Sequence, residues 1–118
     1  MQASEGFKVA VQAFDCQIDA LQALFANSAV FPQDAPAALI GLQTLFQTRI
    51  RAWVMAEQWE AGIPIVTEMH RHLRLLGVDL NFLRAAKQPT TRRQRLQQVE
   101  QRLSSLKEFS QGLRTLIV

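Results

Sequence analysis

The sequence predicts an all-α protein, a four-helix antiparallel bundle formed by a single domain over residues 1–118. Apolar residues recur at intervals of three and four positions along most of the chain, which is the spacing of one face of a helix. Proline, glycine and polar clusters interrupt this pattern at three places, and no segment alternates as a strand would. A length of 118 residues allows one buried core but not two.

The first helix is predicted over residues 4–26, with Ser4 as its N-cap. Its core-facing stripe consists of Phe7, Val11, Phe14, Ile18, Leu21 and Phe25. The stretch SAVFPQDAP that follows is the longest irregular connection, and its apolar Val30 and Phe31 are expected to pack onto the core. Because this connection is long, an arrangement in which the first helix swings away onto a second subunit stays open.

The second helix is predicted over residues 35–60, because Asp34 precedes Pro36 and proline suits the first turn of a helix. Its core-facing stripe consists of Leu39, Leu42, Phe46, Ile50 and Trp53. Gly62 is expected to end this helix in the left-handed conformation that glycine adopts readily. Trp59 is expected in the core, with partial exposure as the alternative.

The third helix is predicted over residues 64–87 and the fourth over residues 91–116, where Thr91 and Gln94 have the spacing of a capping box. These two helices are expected to bury Leu73, Leu76, Leu80, Val99, Leu103 and Leu106 together. Short connections make the last three helices antiparallel neighbours.

Two residues in the third helix depart from its pattern. Gly77 lies in mid-helix, where glycine is unfavourable by about 1 kcal/mol relative to alanine. We interpret it first as a site of close helix approach and second as a functional kink. Asp79 flanks the leucine stripe and is expected either to pair with an arginine or to face water.

The sequence carries no recognisable catalytic or metal-binding pattern. His70 and His72 are two positions apart, so on a helix they point about 200° from each other and cannot share a metal ion. Cys16 has no base near it in sequence and is expected to be a small, semi-buried residue. We therefore expect a protein that is not an enzyme and that needs no metal and no cofactor.

The chain is expected to work in the cytoplasm. Its longest near-continuous apolar stretch, residues 35–42, is far shorter than the roughly 20 residues of a membrane span. The opening residues MQASEGFK lack the basic start and apolar segment of a secretory signal. A single cysteine excludes an internal disulfide and suits a reducing compartment.

The net charge of +3 is distributed unevenly along the chain. Residues 1–60 carry three basic and six acidic residues, whereas residues 61–118 carry ten basic and four acidic ones. The basic excess centres on QPTTRRQR, and the candidate partner-binding residues are Arg84, Lys87, Arg92, Arg93 and Arg95. The turn between the third and fourth helices would bring these five to one end of the bundle. Two interpretations stay open, a solvated helix start and a surface that binds an acidic partner.

Residues 68–109 resemble the family of the cyanobacterial heterocyst frequency control protein PatD. The likeness is strongest in LRLLGVDLNFLRAAKQPTT, with its leucine pair, its Gly-x-Asp and its alanine–glutamine–proline turn. The resemblance implies a small, non-catalytic cytoplasmic protein that binds the tubulin-like protein FtsZ and modulates its assembly. It further implies an influence on cell division and heterocyst frequency, but it transfers no contact residue by position.

The physics of the basic cluster is compatible with this expectation. FtsZ-type proteins are acidic, and a homodimer with two basic ends would cross-link their filaments through avidity. Two other classes of function stay open. A pI of about 9.8 favours a nucleic-acid-binding module, although the cluster lacks interleaved aromatic residues. An adaptor that binds a helix of another protein is the third class.

Overall fold

A computed structural model describes residues 3–27 and 30–117, and within them it shows four helices and no strand, with 84% helix. Helix α1 spans Glu5–Ala26. Helix α2 consists of three consecutive pieces, Ala35–Leu45, Phe46–Arg51 and Ala52–Ala56. Helix α3 spans Ile63–Ala85 and helix α4 spans Pro89–Leu116. The predicted all-α bundle is confirmed.

Successive helices run antiparallel in a bundle that measures 48 × 20 × 20 Å. Helix α1 packs against α2 and α4 of its own chain, and α4 packs along α3 over a long interface. The arrangement with α1 swung onto a second subunit is therefore not the one observed. The seam between α2 and α3 is the least closely packed of the four helix–helix seams. One end of the bundle carries the connections 27–34 and 86–88, and the other carries the connection 57–62.

The predicted stripes form the core. All six apolar residues expected to pack between the third and fourth helices are buried, and so is the stripe of α1. Ser4 is the N-cap of α1 as predicted, because its Oγ accepts a hydrogen bond from the backbone N–H of Phe7 at 3.1 Å. Trp59 is buried as expected, at 7% exposure, whereas Trp53 is only half-buried and stacks on Phe7 with ring centroids 4.1 Å apart.

Helix α2 contains a π-helical segment, Phe46–Arg51, which the sequence pattern did not predict. From Leu42 onward, the buried residues of α2 are Leu42, Phe46, Ile50 and Val54, which follow one another at steps of four. In an α-helix, each step of four rotates a side chain by about 40° away from the previous one. The wider π turn absorbs this rotation, so Val54 reaches the core and Trp53, which we expected there, lies at its edge.

The end of α2 differs from the prediction. The helix stops at Ala56 rather than Glu60. Gln58, with a φ of 51°, is the described residue that takes up the left-handed conformation, whereas Gly62 has a φ of −84°. Gly62 is required for a different reason, since a Cβ atom on it would lie 2.5 Å from Cε3 of Trp59.

The connection between α3 and α4 has the predicted length of three residues but lies two positions earlier in the sequence. Helix α3 ends at Ala85 rather than residue 87, and α4 begins at Pro89 rather than residue 91. Thr91 is therefore inside α4, and the predicted capping box with Gln94 does not form. Gln88 is the N-cap residue and makes no side-chain capping hydrogen bond. The reason is that proline at the first helical position already fixes a helical φ and has no N–H to satisfy.

Three further expectations about exposure and packing were wrong. Val30 is 71% exposed, although Phe31 beside it does pack onto the core. Cys16 is exposed rather than semi-buried. Gly77 is not a site of close helix approach, because a Cβ atom on it would meet Cδ2 of Leu39 at 3.7 Å, which is an ordinary contact distance.

Ion pairs join α4 to its two neighbours. Arg102 donates from Nε to Oδ2 of Asp79 at 2.9 Å, and both side chains are largely buried, so the expected arginine partner of Asp79 is found. Arg114 donates to Oδ2 of Asp15 at 2.6 Å, and Lys107 donates to Asp19. The hydrogen bond to Asp19 raises the pKa of Lys107 above its usual value. These contacts fix the register of α4 against α1 and α3.

Candidate functional site

The five candidate partner-binding residues lie at one end of the bundle, here called the basic end: Arg84, Lys87, Arg92, Arg93 and Arg95. Arg84 is in the last turn of α3, Lys87 is in the three-residue connection, and the other three are in the first two turns of α4. The short turn imposed by Pro89 brings these segments together. The structure thus places all five where the sequence predicted.

Two of the five guanidinium groups are held against aromatic rings. Arg84 lies over the ring of Phe31, with Cζ 5.0 Å from the ring centroid. Arg95 lies over the ring of Phe82 at 4.4 Å. Such cation–π contacts contribute about 0.5–1 kcal/mol at exposed sites. They order the two side chains while each guanidinium keeps its N–H donors available to a partner.

Lys87 and Arg93 are exposed and make no ion pair, hydrogen bond or ring contact with any residue that the structure describes. By contrast, the basic residues farther along α4, Arg102, Lys107 and Arg114, each pair with a carboxylate. The carboxylates of Asp79, Asp19 and Asp15 are therefore used away from the basic end. Lys87 and Arg93 carry positive charge without an ion pair to a described carboxylate, and Asp34, which precedes α2 at the same end of the bundle, forms no described ion pair either.

The basic end gains little from the helices that form it. Three of its arginines lie at the N-terminus of α4, where the helix dipole disfavours positive charge. The first turn of α4 contains no acidic residue. Antiparallel neighbours also offset one another's dipoles, so the positive potential at this end comes from the side chains themselves. An acidic surface is the complementary ligand.

Other kinds of site find no support among residues 3–27 and 30–117. These residues contain no cluster of three His, Cys, Asp or Glu that could hold a metal ion. His70 and His72 are both half-buried: the ring of His70 stacks on Phe46, and that of His72 packs edge-on against Phe109. No described helix is long and apolar enough to cross a membrane.

Sequence reasoning missed a second surface close to the basic end. Ile40, Val78 and Phe82 are large apolar residues with 63%, 46% and 49% exposure. Ile40 and Val78 line a groove of about 340 Å³ along the open seam between α2 and α3. The signal in the sequence was the break in pattern at Gly77, which we had interpreted as close packing.

Comparison with known families gives one finding. The model of the CRR41 C-terminal domain matches residues 32–106. The matched span runs from the connection before α2 into α4, so it includes the whole basic end and the α2–α3 groove but not α1. No curated protein and no solved structure gives a significant match.

Proposed function

We propose that this chain, which belongs to the CRR41 C-terminal domain family, is a non-catalytic regulatory module that binds an acidic protein through its basic end. The observation that carries the proposal is the set of ordered or unpaired cations at that end. Arg84 and Arg95 are positioned by aromatic rings, and Lys87 and Arg93 project without carboxylate partners. The match to the CRR41 C-terminal domain supports the proposal only in that the matched span contains these four residues.

We propose that the partner is FtsZ and that the two proteins meet in the cytoplasm. The support for this choice is the resemblance of residues 68–109 to the PatD family, and the acidic character of FtsZ-type proteins. Binding would modulate the assembly of FtsZ and thereby cell division and heterocyst frequency. A homodimer would present two basic ends and could bridge filaments by avidity.

The experiment compares two charge reversals that change the net charge equally. The variant Lys87→Glu/Arg93→Glu alters two cations that make no ion pair, hydrogen bond or ring contact with the described residues. The control Arg49→Glu/Arg51→Glu alters two exposed or half-exposed arginines in the other half of the bundle, of which Arg49 donates one exposed hydrogen bond to the carbonyl of Gly6 at 3.5 Å. Charge reversal at Lys87 and Arg93 tests binding more directly than charge reversal at Arg95 would. Arg95 also stacks on Phe82, so its substitution would disturb the fold as well.

Binding is measured by co-sedimentation with polymerised FtsZ at low and physiological salt. We expect the first variant to bind at least about ten-fold more weakly than wild type, because close charge pairs contribute roughly 1.5 kcal/mol or more each. The control should stay within about two-fold. Wild-type binding should weaken as salt rises. Equal losses in both variants, or an unchanged Lys87→Glu/Arg93→Glu variant, would overturn the proposal.

The second candidate function is nucleic-acid binding, which the arginines at the N-terminus of α4 favour. A gel-shift assay with duplex DNA and single-stranded RNA, run on the same variants, distinguishes the two. The protein-binding proposal expects only weak, salt-sensitive shifts. A tight shift that the Lys87→Glu/Arg93→Glu variant abolishes, together with no FtsZ binding, would establish the second candidate instead.

A further inference from the structure

Two adjoining pockets lie along the open seam between α2 and α3, and together they are here called the α2–α3 groove. The pocket nearer the basic end is lined by residues that include Pro36, Ile40, Arg74, Gly77, Val78 and Arg84. The pocket farther from the basic end is lined by Gln43, Gln47 and His70, and Arg74 lines both pockets. From His70 to Arg84 the groove follows α3 for fourteen residues, which is about 21 Å or four helical turns.

The groove has an apolar floor and an open position in it. Leu39, Leu73 and Leu80 form the floor and belong to the buried core. Gly77 lies among them without a side chain, and a Cβ atom there would touch only Leu39 at 3.7 Å. A side chain of a partner can therefore enter between α2 and α3 at Gly77. Ile40 and Val78 form an apolar rim on both sides of this position.

The charges along the groove are of one sign. Arg74 and Arg84 lie ten residues apart on α3, a separation of about 15 Å along its axis. Arg74 makes no ion pair or hydrogen bond with the described part of the chain, and Arg84 makes none there either but lies over the ring of Phe31. No acidic residue lines either part of the groove. The neighbouring Asp79 is turned to the other side of α3, where it binds Arg102.

These features select one kind of occupant. The walls of the groove are helices whose backbone groups are hydrogen-bonded internally, so an extended peptide finds no edge on which to add a strand. An amphipathic helix needs no such edge, because it binds through side chains alone. Carboxylates eleven residues apart, about three turns and ~16 Å along that helix, lie on the same face and would reach Arg74 and Arg84.

We propose that the α2–α3 groove binds an amphipathic helix of a partner protein, whose apolar stripe packs on Ile40, Gly77 and Val78 and whose flanking acidic residues pair with Arg74 and Arg84. The groove shares Arg84 with the basic end but is otherwise a separate surface. The proposal goes beyond the proposed function and does not depend on FtsZ being the partner.

The test uses three synthetic helical peptides of about 18 residues. The first has a leucine stripe and two glutamates eleven positions apart on the same face, the second has lysines in place of those glutamates, and the third is a scrambled, non-amphipathic form of the first. Binding to the full chain is measured by calorimetry. We expect the first peptide to bind with a Kd below about 100 µM, and the other two at least about ten-fold more weakly.

Two variants, the first with a matched control, locate the binding. Gly77→Leu fills the groove, whereas Gly41→Leu adds the same side chain to another mid-helix glycine with nothing within 4 Å of its Cβ position, on the side of α2 that faces Gln17 and Ala20. We expect Gly77→Leu to reduce binding of the acidic peptide at least about ten-fold, and Gly41→Leu to leave it within about two-fold. Arg74→Glu should weaken the acidic peptide and strengthen the lysine peptide.

Several outcomes would overturn the inference. They are no binding of the acidic peptide, equal binding of the scrambled peptide, or equal effects of Gly77→Leu and Gly41→Leu. A homodimer that is detected by sedimentation and abolished by Gly77→Leu would mean that a second copy of this chain, rather than a partner helix, occupies the groove. The Lys87→Glu/Arg93→Glu variant should bind the peptide normally, so a failure of the groove and a failure of the basic end are distinguishable.

Discussion

Gly62 and Trp59 contact each other in the connection between α2 and α3, where the indole leaves no room for a Cβ atom. Trp59 cannot move aside easily, because it packs edge-on against both Phe7 and Trp53. We expect Gly62→Ala to lower the free energy of unfolding by about 1–3 kcal/mol through overpacking. Urea unfolding followed by circular dichroism measures this change.

Gly112→Ala is the matched control, since its Cβ atom would meet only Cδ1 of Ile65 at 3.7 Å. This substitution should be neutral or stabilising by up to ~1 kcal/mol, because alanine favours the helix. If the two variants had equal stability, the packing of Trp59 against Gly62 would not limit the connection.

For individual residues, the sequence predicted most of the burial but not always the contacts that make a residue necessary. The burial of Leu76 or Leu103 follows from helical spacing, whereas for Asp79 the sequence left open whether it pairs with an arginine or faces water. The role of Gly62 could not be predicted, because its neighbour Trp59 reaches it through a turn at Gln58 that no local pattern announces. Cys16 and Val30 were misjudged because apolar character alone does not indicate which side a residue faces.

The π segment Phe46–Arg51 makes α2 one residue longer than a regular helix with the same buried positions. Deleting the exposed residue Thr48 would change the core steps 46, 50, 54 from four and four to three and four, which an α-helix matches. We expect the Thr48 deletion to keep the fold and to change the free energy of unfolding by no more than about 1 kcal/mol. Helix content and urea unfolding test it.

Deletion of Gln101 is the matched control, because it removes an exposed residue from the regular helix α4. Every core residue that follows it would rotate by about 100° relative to Val99, so Leu103 and Leu106 would leave the core. We expect this variant to lose cooperative unfolding. A Thr48 deletion that is as damaging as the Gln101 deletion would mean that the π turn is needed for the fold.

The positions of the helices were predictable from the sequence, as were both ends of α1, the start of α2 and the end of α4, whereas the end of α2 and the ends that flank the α3–α4 connection were not. Proline and glycine marked each connection correctly, but the first turn after Pro89 and the last turn before Gly62 depend on tertiary contacts. The π segment also shifted the core position from Trp53 to Val54. If the α-helical spacing of three and four residues is continued through residues 46–54, it places Trp53 in the core instead of Val54.

At the scale of the whole molecule, α1 contributes to the hydrophobic core although it lies outside the span that the family model matches. The matched span begins at residue 32, yet α1 contributes Phe7, Phe14 and Ile18 to the core and binds Arg114 and Lys107 through its carboxylates. We expect a fragment of residues 30–118 to lose cooperative unfolding and to expose apolar surface that binds a hydrophobic dye. Cooperative unfolding of this fragment at wild-type denaturant concentrations would show that α1 is dispensable for the core.

The candidate surfaces were predictable in part. The basic end follows from sequence because its five residues lie within twelve positions around one turn, so topology has little freedom to separate them. The groove could not be predicted, since it depends on how far α2 stands from α3, and that spacing is set by side chains on all four helices. Ile40 and Val78, which face each other across it, are nearly forty residues apart.

Both tryptophans of the chain, Trp53 and Trp59, lie at the end of the bundle opposite the basic end, about 30 Å along the axis from Arg84. The chain has no tyrosine, so its intrinsic ultraviolet emission arises from this one aromatic cluster with Phe7. The emission therefore reports whether the bundle is intact and is insensitive to direct contact at Arg84 or Lys87. A spectral shift on adding a non-fluorescent ligand of the basic end would mean that its effect is transmitted through the length of the helices.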